Sequence, residues 1–197
     1  MKNTKIALLL FSLLAAIQWI VPGKMIYDQE SVLRNGIEYK FKTAPVDPVD
    51  AMRGRYVALS FNIEEYETSF KEIYQNGTEV FVVLTTDSSG FAAIERIDKT
   101  KPASGDFLQV NLSSSFLRTP FQILRLDLPF DRYYMEENKA PKAESFYREV
   151  NREGNEKEAY AVVRVMDGKS VISGLYVDAK PIESFLEYEN SEKYKLE

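Results

Sequence analysis

Two aspartates, Asp47 and Asp50, lie between Pro45, Pro48 and an Arg53-Gly54-Arg55 corner that leads into Tyr56. Carboxylates are hard oxygen donors, and guanidinium groups are planar forks suited to carboxylates on another molecule. Two carboxylates fall short of the about six to eight oxygens that Ca²⁺ takes, and EF-hand spacing is missing. No metal site is therefore assigned here. One reading is structural: the prolines fix φ, the aspartates satisfy loop amides and Gly54 supplies a turn conformation that a β-carbon would oppose. The other is a partner-binding loop presenting Arg53 and Arg55.

A second concentration of reactive types comprises Asp127, Asp131, Glu136, Glu137 and Glu144, with Arg132, Tyr133 and Tyr134 among them. Two carboxylates around a cleft can divide acid and base roles when their surroundings separate their pKa values. Spacing by itself does not establish such a pair, and solvated ion pairs are the alternative. The chain has no His and no Cys, which excludes thiol nucleophiles, Ser-His-Asp triads, disulfides, and His- or Cys-ligated zinc or haem. Carboxylate chemistry, a Ser-Lys pair or a hard cation held by oxygens stays open. No catalytic residue and no cofactor is assigned.

The net charge is −5 over 197 residues, and the first 23 contribute only Lys2 and Lys5, so the remainder is more acidic still. No basic stripe offers itself to a phosphate backbone, which argues against nucleic acid as a partner. Aromatics at 13% and charged residues at 28% fit a folded chain with a real core in one domain.

Lys2 and Lys5 precede an apolar run from Ile6 to Val21 broken only by Ser12 and Gln18, and Pro22-Gly23-Lys24 follows. As a helix that run reaches about 24 Å; continued through Met25 and Ile26 with Lys24 snorkelling, it reaches about 31 Å, enough for a bilayer core of ~30 Å. A cleaved signal peptide is the competing reading, but Leu14 at −3 before Ala16 makes a poor cleavage site. The expectation is an uncleaved anchor with a cytoplasmic N-terminus and the bulk of the chain outside the membrane. Residues 1–23 are read as the anchor, 24–36 as a helical stalk stopped by Gly36, and 37–197 as a β-rich extracytoplasmic domain.

Alternation of apolar and polar residues predicts strands at 37–41 and 56–63. A hairpin is expected from Glu79–Thr86 and Phe91–Ile97, and a second from Tyr160–Val165 and Ser170–Val177 around Asp167-Gly168. Residues 107–112 and 121–128 extend the sheet. Ala143, Phe146, Tyr147 and Val150 mark an amphipathic helix over 140–151, and Pro181 opens a short closing helix to Tyr188. The fold class is α+β and mainly β: an antiparallel barrel- or sandwich-like domain with one or two helices behind an N-terminal transmembrane helix.

The stretch from Thr43 to Phe61 resembles the signature of the bacterial family named for its GDYXXLXY motif. Gly54, Tyr56 and Leu59 fall in register, with an upstream Pro-x-Asp-Pro at Pro45, Asp47 and Pro48. The apolar N-terminus and the Leu-Pro-Phe-Asp-Arg-Tyr-Tyr-Met-Glu-Glu run from Leu128 to Glu137 look like the same family. Arg55 replaces the Asp of the name motif and Phe61 its final Tyr. The resemblance implies association with polytopic membrane proteins and no particular reaction. The order of anchor, Pro-containing loop and Gly-x-Tyr-Val-x-Leu also loosely resembles signal peptidases. Ala44 or Pro45 stands where that family has its nucleophilic Ser, which implies an inactive scaffold.

The expected function is that of a non-catalytic, membrane-tethered domain binding another envelope or integral membrane protein. The alternatives are a carboxylate-dependent hydrolase of envelope polymers and a small-ligand binder walled by Tyr and Phe. The candidate interaction residues are Pro45, Asp47, Pro48, Asp50, Arg53, Gly54, Arg55, Tyr56, Leu59, Tyr133, Tyr134, Glu137 and Glu144.

Overall fold

A computed structural model describes residues 2–44, 56–69, 73–152 and 157–186. Helix α1 (Lys2–Asn35) runs without a break through Pro22. Proline lacks the N–H that would reach the Gln18 carbonyl, a local loss that spanning helices tolerate. Large apolar side chains from Ile6 to Tyr27 stand exposed, with no protein packed over them. The helix is long and apolar enough to cross a membrane, consistent with single-pass anchoring.

At its far end α1 docks on the β domain. Val32 is 1% exposed, and the Gly36 amide bonds to the Val32 carbonyl at 2.8 Å. A Cβ on Gly36 would lie 2.5 Å from that carbonyl oxygen and 3.1 Å from Arg164 Cβ. Glycine therefore ends the helix by close approach to a neighbouring strand.

Among the described residues twelve strands follow: β1 (Ile37–Ala44), β2 (Tyr56–Ala58), β3 (Ser60–Phe61), β4 (Glu65–Ser69), β5 (Glu79–Thr86), β6 (Ala92–Asp98), β7 (Phe107–Arg118), β8 (Phe121–Asp127), β9 (Arg132–Tyr134), β10 (Ala159–Met166), β11 (Lys169–Val177) and β12 (Lys180–Pro181). Helix α2 (Ala140–Val150) lies between β9 and β10, and residues 182–186 form a helical turn after β12. One sheet has the order β12-β11-β10-β1-β3, another β4-β8-β7-β5-β6, and β2 pairs with β9. Together they make a nearly closed, antiparallel, barrel-like arrangement that is mainly β.

The first sheet is built around β10, whose Ala161, Val163 and Val165 are buried. On β1, Tyr39, Phe41 and Thr43 alternate inward, as the period-2 pattern requires. The β10–β11 turn places Asp167 at φ 50° and Gly168 at φ 82°, the mirror-image conformation that Asp-Gly favours because its twist suits paired strands. A Cβ at Gly168 would also meet Phe107 Cε2 at 2.9 Å. Here the Gln109 amide bonds to the Gly168 carbonyl at 3.1 Å and joins the two large sheets. The Tyr39 hydroxyl ties them again by donating to Asp106 Oδ2 at 2.9 Å.

Residues 56–63, expected as one strand, divide three ways. β2 pairs with β9, β3 with β1, and a 3-10 turn at Asn62–Glu64 redirects the chain into β4, which pairs with β8. The break occurs at Leu59, whose amide turns to the Asp131 carbonyl at 2.8 Å. Glu64 fixes the turn by accepting from the Phe61 amide at 2.7 Å and the Ser60 hydroxyl at 3.2 Å. β7 extends six residues past the expected Leu112, to Arg118, because it pairs on with β8 to Phe121. Phe41, Phe61 and Phe130 meet edge-on inside, with centroids 4.9 to 6.0 Å apart.

Candidate functional site

β2 and β9 bring together the two segments that the sequence singles out. Tyr56 opposes Tyr134, Val57 opposes Tyr133 and Ala58 opposes Arg132. Side chains alternate across a strand, so each segment presents one face to the core and one to solvent. Val57 is fully buried, and Leu59, Leu128 and Phe130 are buried beside it. Phe61, where the name motif has Tyr, is 2% exposed in the phenylalanine cluster, where a ring without a hydroxyl needs no polar partner.

The outward face carries Tyr56, Arg132 and Tyr134. The two tyrosine rings lie 5.7 Å apart at 61°, and the Arg132 guanidinium sits over the Tyr56 ring at 5.3 Å. That geometry suits the attraction between a cation and an aromatic face. Tyr134 and then Asp131, whose Oδ2 is 3.5 Å away, favour the charged arginine and raise its pKa. Tyr134 is 66% exposed. The result is an aromatic and cationic platform open to solvent.

Tyr133 turns the other way. Its hydroxyl donates to Glu183 Oε1 at 2.6 Å, anchoring the 182–186 turn. Burial, followed by that bond, pushes the Tyr133 phenol above its ordinary range. Glu183 had no local signal in the sequence, since its partner lies fifty residues away.

Helix α2 packs on β2 through Ala140, Ala143, Tyr147 and Val150. Tyr147 is 1% exposed, with the Thr43 side chain and the Ser60 backbone beside its hydroxyl. Glu144 pairs with Arg148 at 2.6 Å, Glu136 lies 3.5 Å from Lys139, and Glu137 stands exposed just before the helix. Glu136 and Glu144 thus each face a basic neighbour. Among the described residues no group of three or more Asp or Glu is arranged to hold a metal ion. Pro45, Asp47, Pro48, Asp50, Arg53, Gly54 and Arg55 lie outside the described residues, although the segment begins at Ala44 and re-enters at Tyr56, on the platform itself.

A groove of about 510 Å³ lies between α2 and the 182–186 turn, walled by Ser145, Phe146, Phe185 and Leu186. Phe146 and Phe185 stack across it at 4.8 Å. Tyr56, Tyr133 and Tyr134 do not line it.

No curated protein and no solved structure was found to match the chain. The model of the GDYXXLXY protein family matches residues 18–175, a span that includes the C-terminal half of α1, both motif segments and nearly the whole barrel. The chain belongs to the GDYXXLXY family.

Proposed function

We propose that this protein is a non-catalytic domain, held by α1 on the extracytoplasmic side of a bacterial envelope membrane, that binds another envelope or polytopic membrane protein through the β2–β9 platform. The observation that carries the reading is the pairing of Tyr56 and Tyr134 under Arg132 on an exposed face. Aromatic side chains and arginine are the groups enriched at the energetic centres of protein interfaces. Lys2 and Lys5 on the N-terminal flank favour a cytoplasmic start. Tethering raises effective concentration, so a modest interface suffices.

The test is crosslinking and co-purification of the full chain from its native membrane, compared with an Arg132→Ala/Tyr134→Ala variant and an Arg53→Ala/Arg55→Ala variant. The expected result is loss of one defined membrane-protein partner from the first variant. Equal recovery of every partner by all three proteins would remove the platform from consideration.

A further inference from the structure

Ile26 closes the apolar run of α1, and Asp28 stands two residues beyond it. That is about 3 Å along the helix axis. Asp28 Oδ2 accepts from Lys24 Nζ and from Lys169 Nζ, each at 2.8 Å. Lys169 opens β11 directly after the Asp167-Gly168 turn. Lys169 Nζ stands 2.8 Å from Asp28 Oδ2, which places the ammonium within about 9 Å of the end of the apolar run and the turn, one lysine length of about 6 Å away, within about 15 Å, beside a headgroup region about 5–7 Å deep on each face of a bilayer.

A second attachment stands further out. Val32 is buried where α1 meets β10 and β11. The Arg164 guanidinium donates to the Gly36 carbonyl at 3.2 Å and pairs with Glu38 at 2.8 Å. Two fixed points along one helix stop the hairpin from swinging away from it. The direction of the remaining strands follows: Leu108 is bridged in parallel to Gly168, so β7 sets out alongside β11, away from the bilayer, and carries exposed Leu117 near its far end.

We propose that the β10–β11 turn is a lipid-facing surface, held against the phospholipid headgroup layer of the membrane that α1 spans by the Asp28–Lys169 clamp. The proposal rests on α1 being embedded. Each ammonium has three donors, so Lys24 and Lys169 keep N–H groups for phosphate oxygens after bonding Asp28. Asp167 is exposed in the same turn, so the chemistry is recognition of phosphate rather than of net anionic charge.

The absence of cysteine makes single-site labelling clean. The full chain, carrying a fluorophore at Met166→Cys, Leu117→Cys or Ile17→Cys, is reconstituted in phosphatidylcholine nanodiscs containing headgroup- or acyl-chain-nitroxide lipid. Headgroup quenching is expected to be about threefold greater at 166 than at 117, and to fall at 166 when Lys169→Met is added. Equal quenching at 166 and 117, or none at 166, overturns the proposal, and no change on adding Lys169→Met overturns the clamp. Position 17 reports the anchor separately: acyl-chain quenching at 17 with no headgroup quenching at 166 defeats this proposal alone, whereas no quenching at 17 defeats the anchor reading along with it.

Discussion

Tyr56 and Tyr134 occupy directly opposed positions in the β2–β9 pair, with their rings in edge contact at 5.7 Å. Because Tyr134 projects into solvent, its removal leaves the core intact. Tyr134→Ala is expected to change the unfolding free energy by no more than about 0.5 kcal/mol while reducing partner recovery. Denaturant titration and crosslink yield read the two effects separately. A much larger loss of stability would make the ring structural.

Phe130 belongs to the same short segment but faces inward, in contact with Phe41 and Phe61. Phe130→Ala is expected to lower stability by about 3–5 kcal/mol, visible as an earlier denaturation midpoint. A loss below about 1 kcal/mol would mean that the cluster collapses freely around the gap.

Tyr133→Phe deletes one hydroxyl and its bond to Glu183. The expected loss is about 1–2 kcal/mol, and a double-mutant cycle with Glu183→Ala assigns it to the pair. Additive single effects would show that the two groups do not interact in solution.

Glu64 supplies the pH dependence. Burial is the largest influence on it and raises its pKa above the ordinary value of 4.5, against lowering by the Phe61 amide and the Ser60 hydroxyl. A carboxyl raised in the folded state contributes stability that is fully present below its unfolded value and is lost as pH rises through the folded value. The stability of the wild type relative to Glu64→Gln is therefore expected to decline as pH rises above 4.5. A relative stability that climbs over that range would show the two hydrogen bonds outweighing burial.

The locally encoded parts of this fold were legible in its sequence. Asp167-Gly168 and Asp87 to Gly90 dictate turns by their own backbone preferences, and both hairpins appear where alternation places them. The face of α2 that bears Ala143, Tyr147 and Val150 is written in its spacing. What was not legible depends on partners distant in the chain. β9 is three residues long and exists because β2 lies beside it, and β4 exists because β8 does. Leu59 interrupts an alternating pattern only because the Asp131 carbonyl is within reach. The same logic governs the site: the name motif singled out Tyr56, and the acidic segment Arg132 and Tyr134, while their apposition required the sheet. Glu183 carried no sign of its role, since nothing near it in the chain calls for a phenol.

The register of β1 against β10, with Ile37 opposite Val165 and Lys42 opposite Tyr160, imposes a schedule on biogenesis. The strand that follows α1 has its main partner more than a hundred residues further along the chain. Until that partner emerges, one side of β1 offers unsatisfied amides and carbonyls. Assembly of this barrel thus waits on β10, and the newly made chain must be shielded from strand pairing with its neighbours in the meantime.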